Sequence, residues 1–556
     1  MATVLPAGRA EAEGSDSDVH AAQISTWEKR LQQAGASTVE LDRFEQLWSA
    51  QSKQTRGWFF DYIQKNPTQR VLGLLRAMVG YEYEVRPADI FPNAAPAITC
   101  EELRSVSIPD TVIDSVAASA SDDSCQVTAI VIHPPAHNPI KIFIALPTKG
   151  WNGRFRGTGG GGYAGGSIDS LNGPVAWGFA VGATDTGNPE GTANFAIDTQ
   201  GKPAWQRLRD NGYVGIHDMT VVGKALTEAF YGKAPRYSYF VGGSTGGRQA
   251  LTEAQRYPDD YDGILAINPA IARDRYVPAQ LWPQILMREA NNFLSREKRE
   301  RVTKAAVKAC DATDGLVDGV IENPLECHYD PKALVGTWIG DSAFGETDAR
   351  IVQQIWGGAR GHDGGFLWWG PTLGSDLSVL PNTETVPLAG KPCEEGLDWF
   401  RYFLKLDPKW DWTTLSRDEF ELLFAQSIQV HASVYGGDDP DLTGFRNRNG
   451  KLLMVHGLAD QIVPPQASID YYERVQNRMG GPERLESFAR LFLVPGADHG
   501  LSGAGPSPSI AELKEALRRW VEEGHAPDQL DAQLLDDHNK VIRTKLLHPH
   551  PLIPRQ

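Results

Sequence analysis

The sequence predicts an α/β fold: a mostly parallel sheet covered by helices, with a long insertion between its later strands and a helical extension ahead of it. Three observations predict it. Residues 237–241 are apolar, aromatic and strand-like, and after a short glycine-rich turn residues 249–256 follow a helical pattern. Residues 127–132 and Gly263–Ile267 are short, nearly continuous apolar runs of the kind expected of buried parallel strands. Two further apolar runs, beginning at Lys451 and Ala489, each end in a polar loop, as the last strands of an open α/β sheet do.

The elements can be justified in chain order. Residues 1 to about 20 are small and acidic and read as disordered. Residues 24–31 and 44–48 place apolar side chains at helical spacing, and Ser37 and Thr38 precede a helix start. Residues 1–95 are therefore expected to be a helical extension whose tryptophans and leucines pack on the body or on a partner subunit. Residues 96–267 form the first part of the core, with 127–132 and Gly263–Ile267 read as parallel strands. Residues 268–449 are the insertion, and 450–556 complete the core.

The turn within the first pattern carries chemistry. Gly242-Gly243-Ser244-Thr245-Gly246 has the Gly-x-Ser-x-Gly form, with a strand before it and a helix after it. A turn this sharp strains the serine backbone, and only small neighbours let strand and helix approach. It presents the Ser244 hydroxyl above a helix N-terminus, where free N–H groups can hold developing negative charge. The alternative is a glycine-rich turn with a solvated serine; the flanking elements favour the nucleophile.

A serine nucleophile needs a base and an orienting acid. Asp460 lies in the loop after the Lys451 strand and His499 in the loop after the Ala489 strand, in the chain order serine, acid, histidine. His456 sits at a strand end and is expected to shape the acid loop, Asp498 to be solvated or to cap its loop, and His217, in a helical pattern, to be structural. An oxyanion hole would take the N–H of Thr245 and a second donor near Gly161, in the glycine-rich loop 154–165 that follows the strand-like run 141–147. That loop lacks the Lys-Ser/Thr end of a P-loop and does not open a helix as a dinucleotide fingerprint would.

Four segments resemble the tannase and feruloyl esterase family: Trp151-Asn152-Gly153-Arg154-Phe155 with its glycine loop, Gly243-Ser244-Thr245-Gly246-Gly247-Arg248, Gln255-Arg256-Tyr257-Pro258-Asp259-Asp260-Tyr261-Asp262-Gly263, and Ser468-Ile469-Asp470-Tyr471-Tyr472-Glu473-Arg474-Val475. The resemblance runs from about Cys100 to the C-terminus. It implies an α/β-hydrolase core with a large lid formed by 268–449, and cleavage of aromatic-acid esters such as those of gallate, ferulate or terephthalate. It also implies disulfides Cys310–Cys327 and Cys100–Cys125, leaving Cys393 over. A structural calcium is implied in the loop between Cys310 and Cys327, with ligands from the side chains of Asp311, Asp314 and Asp318 and the carbonyls of Leu316 and Val320. The spacing alone reads equally as an acidic solvated turn, and it is not that of an EF-hand. One departure stands out. The family usually has cysteines just before the nucleophile and just after the catalytic histidine, and here those positions are Gly243 and Gly500.

Composition bounds the partners. A net charge of −16 over 556 residues argues against nucleic acid or an anionic membrane. No segment is long and apolar enough to span a bilayer. The N-terminus shows no apolar signal core, which slightly favours the cytoplasm over secretion, while disulfides pull the other way. The compartment stays open, as does a homo-oligomer. The insertion is rich in aromatics, among them Trp282, Trp368, Trp369, Trp399, Phe403 and Trp412; most are expected to form its own core and a minority to face a planar aromatic substrate. Arg288 and Arg401 are candidates for holding a carboxylate. The expected activity is a serine esterase for aromatic acids. The nearer alternative is a lactone hydrolase or acyltransferase on a specialised natural product, and the distant one a non-catalytic binding protein of the same fold.

Overall fold

The computed structural model describes residues 87–119, 123–134, 138–385, 388–536 and 540–551. The helical patterns expected at 24–31 and 44–48 lie outside the described residues. The chain divides into one unit of Met1–Val79 with Leu535–Lys540 and a second of Gly80–Leu534 with Val541–Gln556. The second is built on a nine-stranded sheet.

Its strands are β1 (Thr111–Ser119), β2 (Ser124–Val131), β3 (Ile140–Pro147), β4 (Arg154–Thr158), β5 (Ala180–Thr184), β6 (Tyr237–Gly243), β7 (Gly263–Ile267), β8 (Lys451–Gly457) and β9 (Ala489–Val494). They lie in the order β1-β2-β3-β5-β4-β6-β7-β8-β9. From β5 onward every neighbouring pair is parallel. One expectation is corrected. The run at 127–132 belongs to β2, which pairs antiparallel with both β1 and β3. The links on either side of β2 are too short for the crossover a parallel pair requires. An apolar run shows burial on two faces, and burial does not report strand direction.

Alternation along the strands divides the core in two. Phe240, Ile264, Leu452 and Met454 face one side of the sheet. Their neighbours Tyr239, Leu265, Leu453 and Val455 face the other. The first face is covered by helices α1 (Gly215–Tyr231) and α2 (Thr245–Arg256), and the second by the C-terminal helix Ile510–Glu523. Ser509 caps that C-terminal helix by accepting from the Glu512 N–H, and Gly524 ends it in the left-handed region. The Trp151–Phe155 motif is a joint of this core. Trp151 stacks on Tyr231 at 4.0 Å, and buried Arg154 pairs with Glu522 at 2.6 Å.

Between β7 and β8 the chain leaves the sheet. It forms α3 (Arg273–Ala279), α4 (Trp282–Glu289), α5 (Arg296–Cys310), α6 (Glu346–Trp356) and α7 (Arg417–Tyr435), with short hairpins among them. Both expected disulfides are formed, Cys100–Cys125 and Cys310–Cys327. Cys393 is the free cysteine. Among the described residues no helix is long and apolar enough to cross a membrane.

Candidate active site

The parallel register brings the C-terminal ends of β6, β7, β8 and β9 together, since Gly243 pairs with Ile267, Ile267 with Val455, and Gly457 with Val494. Ser244 follows β6, Asp460 the end of β8 and His499 the end of β9, so the sheet gathers the three residues along one edge of its strand ends.

Ser244 is half-buried, with φ 55° and ψ −121°, a conformation costly for any residue but glycine. The turn is held from both sides: the Ser244 N–H donates to the Ile267 carbonyl at 2.9 Å, and the Ser244 carbonyl accepts from Ala270 N–H at 2.9 Å. The flanking glycines are required. A Cβ at Gly242 would lie 2.3 Å from the carbonyl oxygen of Gly246. α2 starts directly after the serine.

Asp460 is fully buried. One carboxylate oxygen accepts from the N–H groups of Ile462 and Val463, both at 2.8 Å. The other accepts from His499 Nδ1 at 2.7 Å and lies 3.3 Å from His456 Nε2. Burial alone would raise the Asp460 pKa, but the charge of His499 and the hydrogen bonds from His499 and His456 outweigh it and hold the carboxyl well below its usual range. His499 is itself desolvated, which opposes charging, yet Asp460 leaves its pKa raised above the ordinary 6.5. With Nδ1–H committed to Asp460, His499 presents Nε2 as the basic atom. Ser244 Oγ makes no hydrogen bond among the described residues, and the bond from base to nucleophile commonly tightens only with substrate bound.

His456 shapes the acid loop, as expected. Its Nε2–H points at the Val463 carbonyl at 3.1 Å, so its Nδ1 accepts from the Ser468 hydroxyl at 2.8 Å. Asp498 caps its own loop by accepting from Gly500 and Ser502 N–H groups. His217 lies within α1 and pairs with Asp260 at 2.7 Å.

The glycine loop after β4 stands over the start of α2. Gly160 N–H donates to Gln249 Oε1 at 3.0 Å, and the Gly160 carbonyl accepts from Gly246 N–H at 2.9 Å. The N–H groups of Thr245 and Gly161 are uncommitted among the described residues. Thr245 Oγ1 donates to the Gly162 carbonyl at 2.7 Å and accepts from Arg273 at 3.0 Å. Arg273, on α3, is buried, pairs with Glu395 at 2.7 Å, and lies over the Tyr163 ring.

The sequence reading did not single out Gln249, Asn268, Arg273 or Glu395. Asn268 carried a usable signal, being the polar residue directly after an apolar strand. Arg288 donates to the carbonyls of Trp412 and Leu415, and Arg401 pairs with Asp398.

The chain matches the family described as tannase and feruloyl esterase over residues 125–361 and 398–555. This chain belongs to the tannase and feruloyl esterase family. Members are carboxylic ester hydrolases. A probable feruloyl esterase of Arthroderma benhamiae is 37% identical over 447 residues, covering 78% of this chain and 83% of the relative. Feruloyl esterase B of Aspergillus niger is 30% identical over 442 residues, covering 76% and 82%. The solved tannin acyl hydrolase of Aspergillus niger superposes with a TM-score of 0.74 at 24% identity, over 82% of this chain and 92% of that one, a likeness of fold. In this tannase and feruloyl esterase family member, the aspartate loop between Cys310 and Cys327 satisfies much of itself. Asp311 Oδ1 accepts from the N–H groups of Asp318 and Gly319, and Asp318 pairs with Arg543. Among the described residues no three His, Cys, Asp or Glu side chains converge as a metal site.

Proposed function

We propose that this esterase cleaves esters of aromatic acids by acyl transfer, with Ser244 as nucleophile, His499 as base and Asp460 orienting the imidazole. The observation that carries the assignment is the strained Ser244 elbow on the same strand-end edge as the 2.7 Å Asp460–His499 bond. His499 Nε2 takes the hydroxyl proton as Ser244 Oγ attacks the ester carbonyl carbon. Asp460 stabilises the imidazolium that forms. The N–H groups of Thr245 and Gly161 receive the oxyanion, with Gln249 and Arg273 holding their loops. His499 then passes its proton to the leaving alkoxide, and water, activated by the same imidazole, releases the acid.

Support for an aromatic acyl group comes from the aromatic side chains of Tyr276, Trp282, Trp368 and Trp369 from the insertion, which gather with Ile462 and Pro464 beside the acid loop. Three of these four aromatics come from the set named in the sequence. Residues 268–449 act here as a lid. Hydrolysis of galloyl, feruloyl and simple alkyl esters, with Ser244→Ala as control, tests the reading. Turnover of the aromatic esters, lost in the variant by on the order of a million-fold, is expected. Turnover unchanged in the variant would refute the assignment of Ser244.

The calcium site is proposed on donor set alone. Ion binding there would require Asp318 to exchange Arg543 for the cation. Two disulfides also fit an oxidising compartment better than the cytoplasm.

A further inference from the structure

Thr245 carries one oxyanion N–H on its backbone, and its side chain reaches the loop that carries the other. Arg273 Nη1 donates to Thr245 Oγ1 at 3.0 Å. A guanidinium can only donate, so the hydroxyl gives its single proton to the Gly162 carbonyl, 2.7 Å away. Gly162 directly follows Gly161. The Thr245 hydroxyl therefore ties the residue of the first donor to the neighbour of the second.

The tip of that loop has little else to hold it. A Cβ added at Gly161 or Gly162 would meet nothing within 4 Å, so neither residue is fixed by packing. The firm anchors lie on either side. Gly160 is held by Gln249 and Gly246, and the Tyr163 carbonyl accepts from Asn188 Nδ2 at 2.9 Å and Asn211 Nδ2 at 3.1 Å. Between them, among the described residues, Thr245 is the one side chain that holds the tip.

The insertion controls this tie. Thr245 and Arg273 are both buried, so water does not compete for their bond. Arg273 opens α3, where the chain leaves the sheet, and pairs with Glu395, far along the insertion, at 2.7 Å. Glu395 grips the loop a second time, since its main-chain carbonyl accepts from the Tyr163 hydroxyl at 2.8 Å. The Tyr163 ring lies under the Arg273 guanidinium at 4.7 Å and stacks on Phe403 of the insertion at 5.7 Å.

We infer that Glu395 and Arg273 are positioning residues for the oxyanion hole: through the Thr245 hydroxyl they set the separation of the Thr245 and Gly161 N–H groups, and the hole is complete only while this part of the insertion is seated. The inference rests on the reading of Ser244, Thr245 and Gly161 above. It goes beyond that reading by giving the insertion a part in the chemistry as well as in covering the site. Donors aimed at a developing charge act only when held in place beforehand, so a loosened tip lowers kcat and spares ground-state binding.

The experiment measures kcat and KM for methyl ferulate and phenyl acetate, and inhibition by phenylboronic acid, in the native full chain and in Thr245→Val, Thr245→Ser, Glu395→Gln and the Thr245→Val/Glu395→Gln double variant. The boronic acid takes the Ser244 oxygen onto boron, the hydroxyl proton passes to His499, and the tetrahedral adduct draws on the oxyanion donors as the transition state does. All rates are taken above the acid limb, because the Glu395 charge also acts on His499. Thr245→Val keeps the shape and removes both hydrogen bonds. It is expected to lower kcat by about 10- to 100-fold, with KM nearly unchanged and boronate affinity reduced in step. Thr245→Ser restores both. Glu395→Gln alone is expected to cost about tenfold in kcat, and little more once Thr245 is valine, because the two act in series.

Native kcat and boronate affinity in Thr245→Val overturn the inference, as does a loss confined to KM or to thermal stability. Losses that multiply in the double variant overturn the link from Glu395 through Thr245. In each of these cases the esterase reading stands, provided that Ser244→Ala is inactive. Turnover of neither ester by the native protein, or turnover undiminished in Ser244→Ala, overturns both readings. Should Thr245→Val fail to fold, Glu395→Gln decides by the same split between kcat with boronate affinity and KM.

Discussion

Asn268 Nδ2 donates to the carbonyl of His499 at 2.7 Å, joining the strand beside the nucleophile to the loop that carries the base. The same side chain reaches further. Its Oδ1 accepts from Gly457 N–H at 2.8 Å, and its own N–H donates to the Val455 carbonyl at 2.8 Å. Asn268 is buried, has φ 41°, and directly follows Ile267, whose carbonyl holds Ser244. One residue thus ties together the loops of Ser244, Asp460 and His499. Gly243 and Gly500, beside Ser244 and His499, have no side chains with which to join those loops.

Asn268→Ala should therefore lower kcat by about 10- to 100-fold, because it strands a buried carbonyl and a buried N–H at about 1–3 kcal/mol. KM should move little, since Asn268 touches the triad's supports rather than the aromatic side chains of the insertion. Cysteines at 243 and 500, shown by mass spectrometry to be crosslinked, should restore part of the lost kcat by joining the same loops another way. A fall in thermal stability with no change in kcat would mean that Asn268 supports the fold alone.

The pH profile follows from the Asp460–His499 pair. The base must be neutral to accept a proton, and Asp460 raises the His499 pKa above 6.5. kcat/KM should then decline on the acid side from a pH above that of an unperturbed histidine. Asp460→Asn should move the limb to lower pH while reducing kcat by about 10³- to 10⁴-fold. An acid limb at or below the ordinary histidine value in the native protein would contradict this coupling.

The sheet, and the gathering of Ser244, Asp460 and His499 at its strand ends, were legible in the sequence because each is marked locally. A strand ending in Gly-x-Ser-x-Gly, and two strands ending in loops that carry Asp460 and His499, report their own surroundings. The supports were not legible. Gln249, Arg273 and Glu395 are polar residues of ordinary helical stretches, and only tertiary packing shows that they converge behind the glycine loop and Thr245. Strand direction at β2 was hidden for a related reason, since apolar runs report burial and not pairing. The disulfides were reached through the family resemblance, five cysteines by themselves leaving several pairings open.

Calcium binding can be tested without any activity assay. If the loop from Asp311 to Val320 binds calcium, chelation should lower the melting temperature and added calcium restore it. Asp311→Asn should abolish that response. Arg543→Gln should enhance it by releasing Asp318. A melting temperature indifferent to calcium and chelator would identify the loop as closed by its own N–H groups and by Arg543.

The buried pair Glu253–Asp260 should make the fold more stable in mild acid than its overall charge would require. Glu253 is 1% exposed, and neither of its carboxylate oxygens has a partner among the described residues. Burial is the main reason its pKa is raised well above 4.5, and the facing Asp260 carboxylate adds to it. Asp218 acts in the same direction and Lys224 opposes them. His217 is committed to Asp260, and Lys224 donates to the Asp260 carbonyl, so neither neutralises Glu253 directly. The folded chain therefore binds a proton here that the unfolded chain has released above 4.5. The stability from this group is fully present below that value and is lost as pH rises through the folded pKa. Glu253→Gln keeps the shape, offers an N–H₂ donor to Asp260, and removes the cost of charging. It should raise the melting temperature at pH 7–8 by about 1 °C for each kcal/mol recovered. Its advantage should disappear below the ordinary glutamate value. A gain of equal size at acid and neutral pH would assign the effect to packing instead of titration.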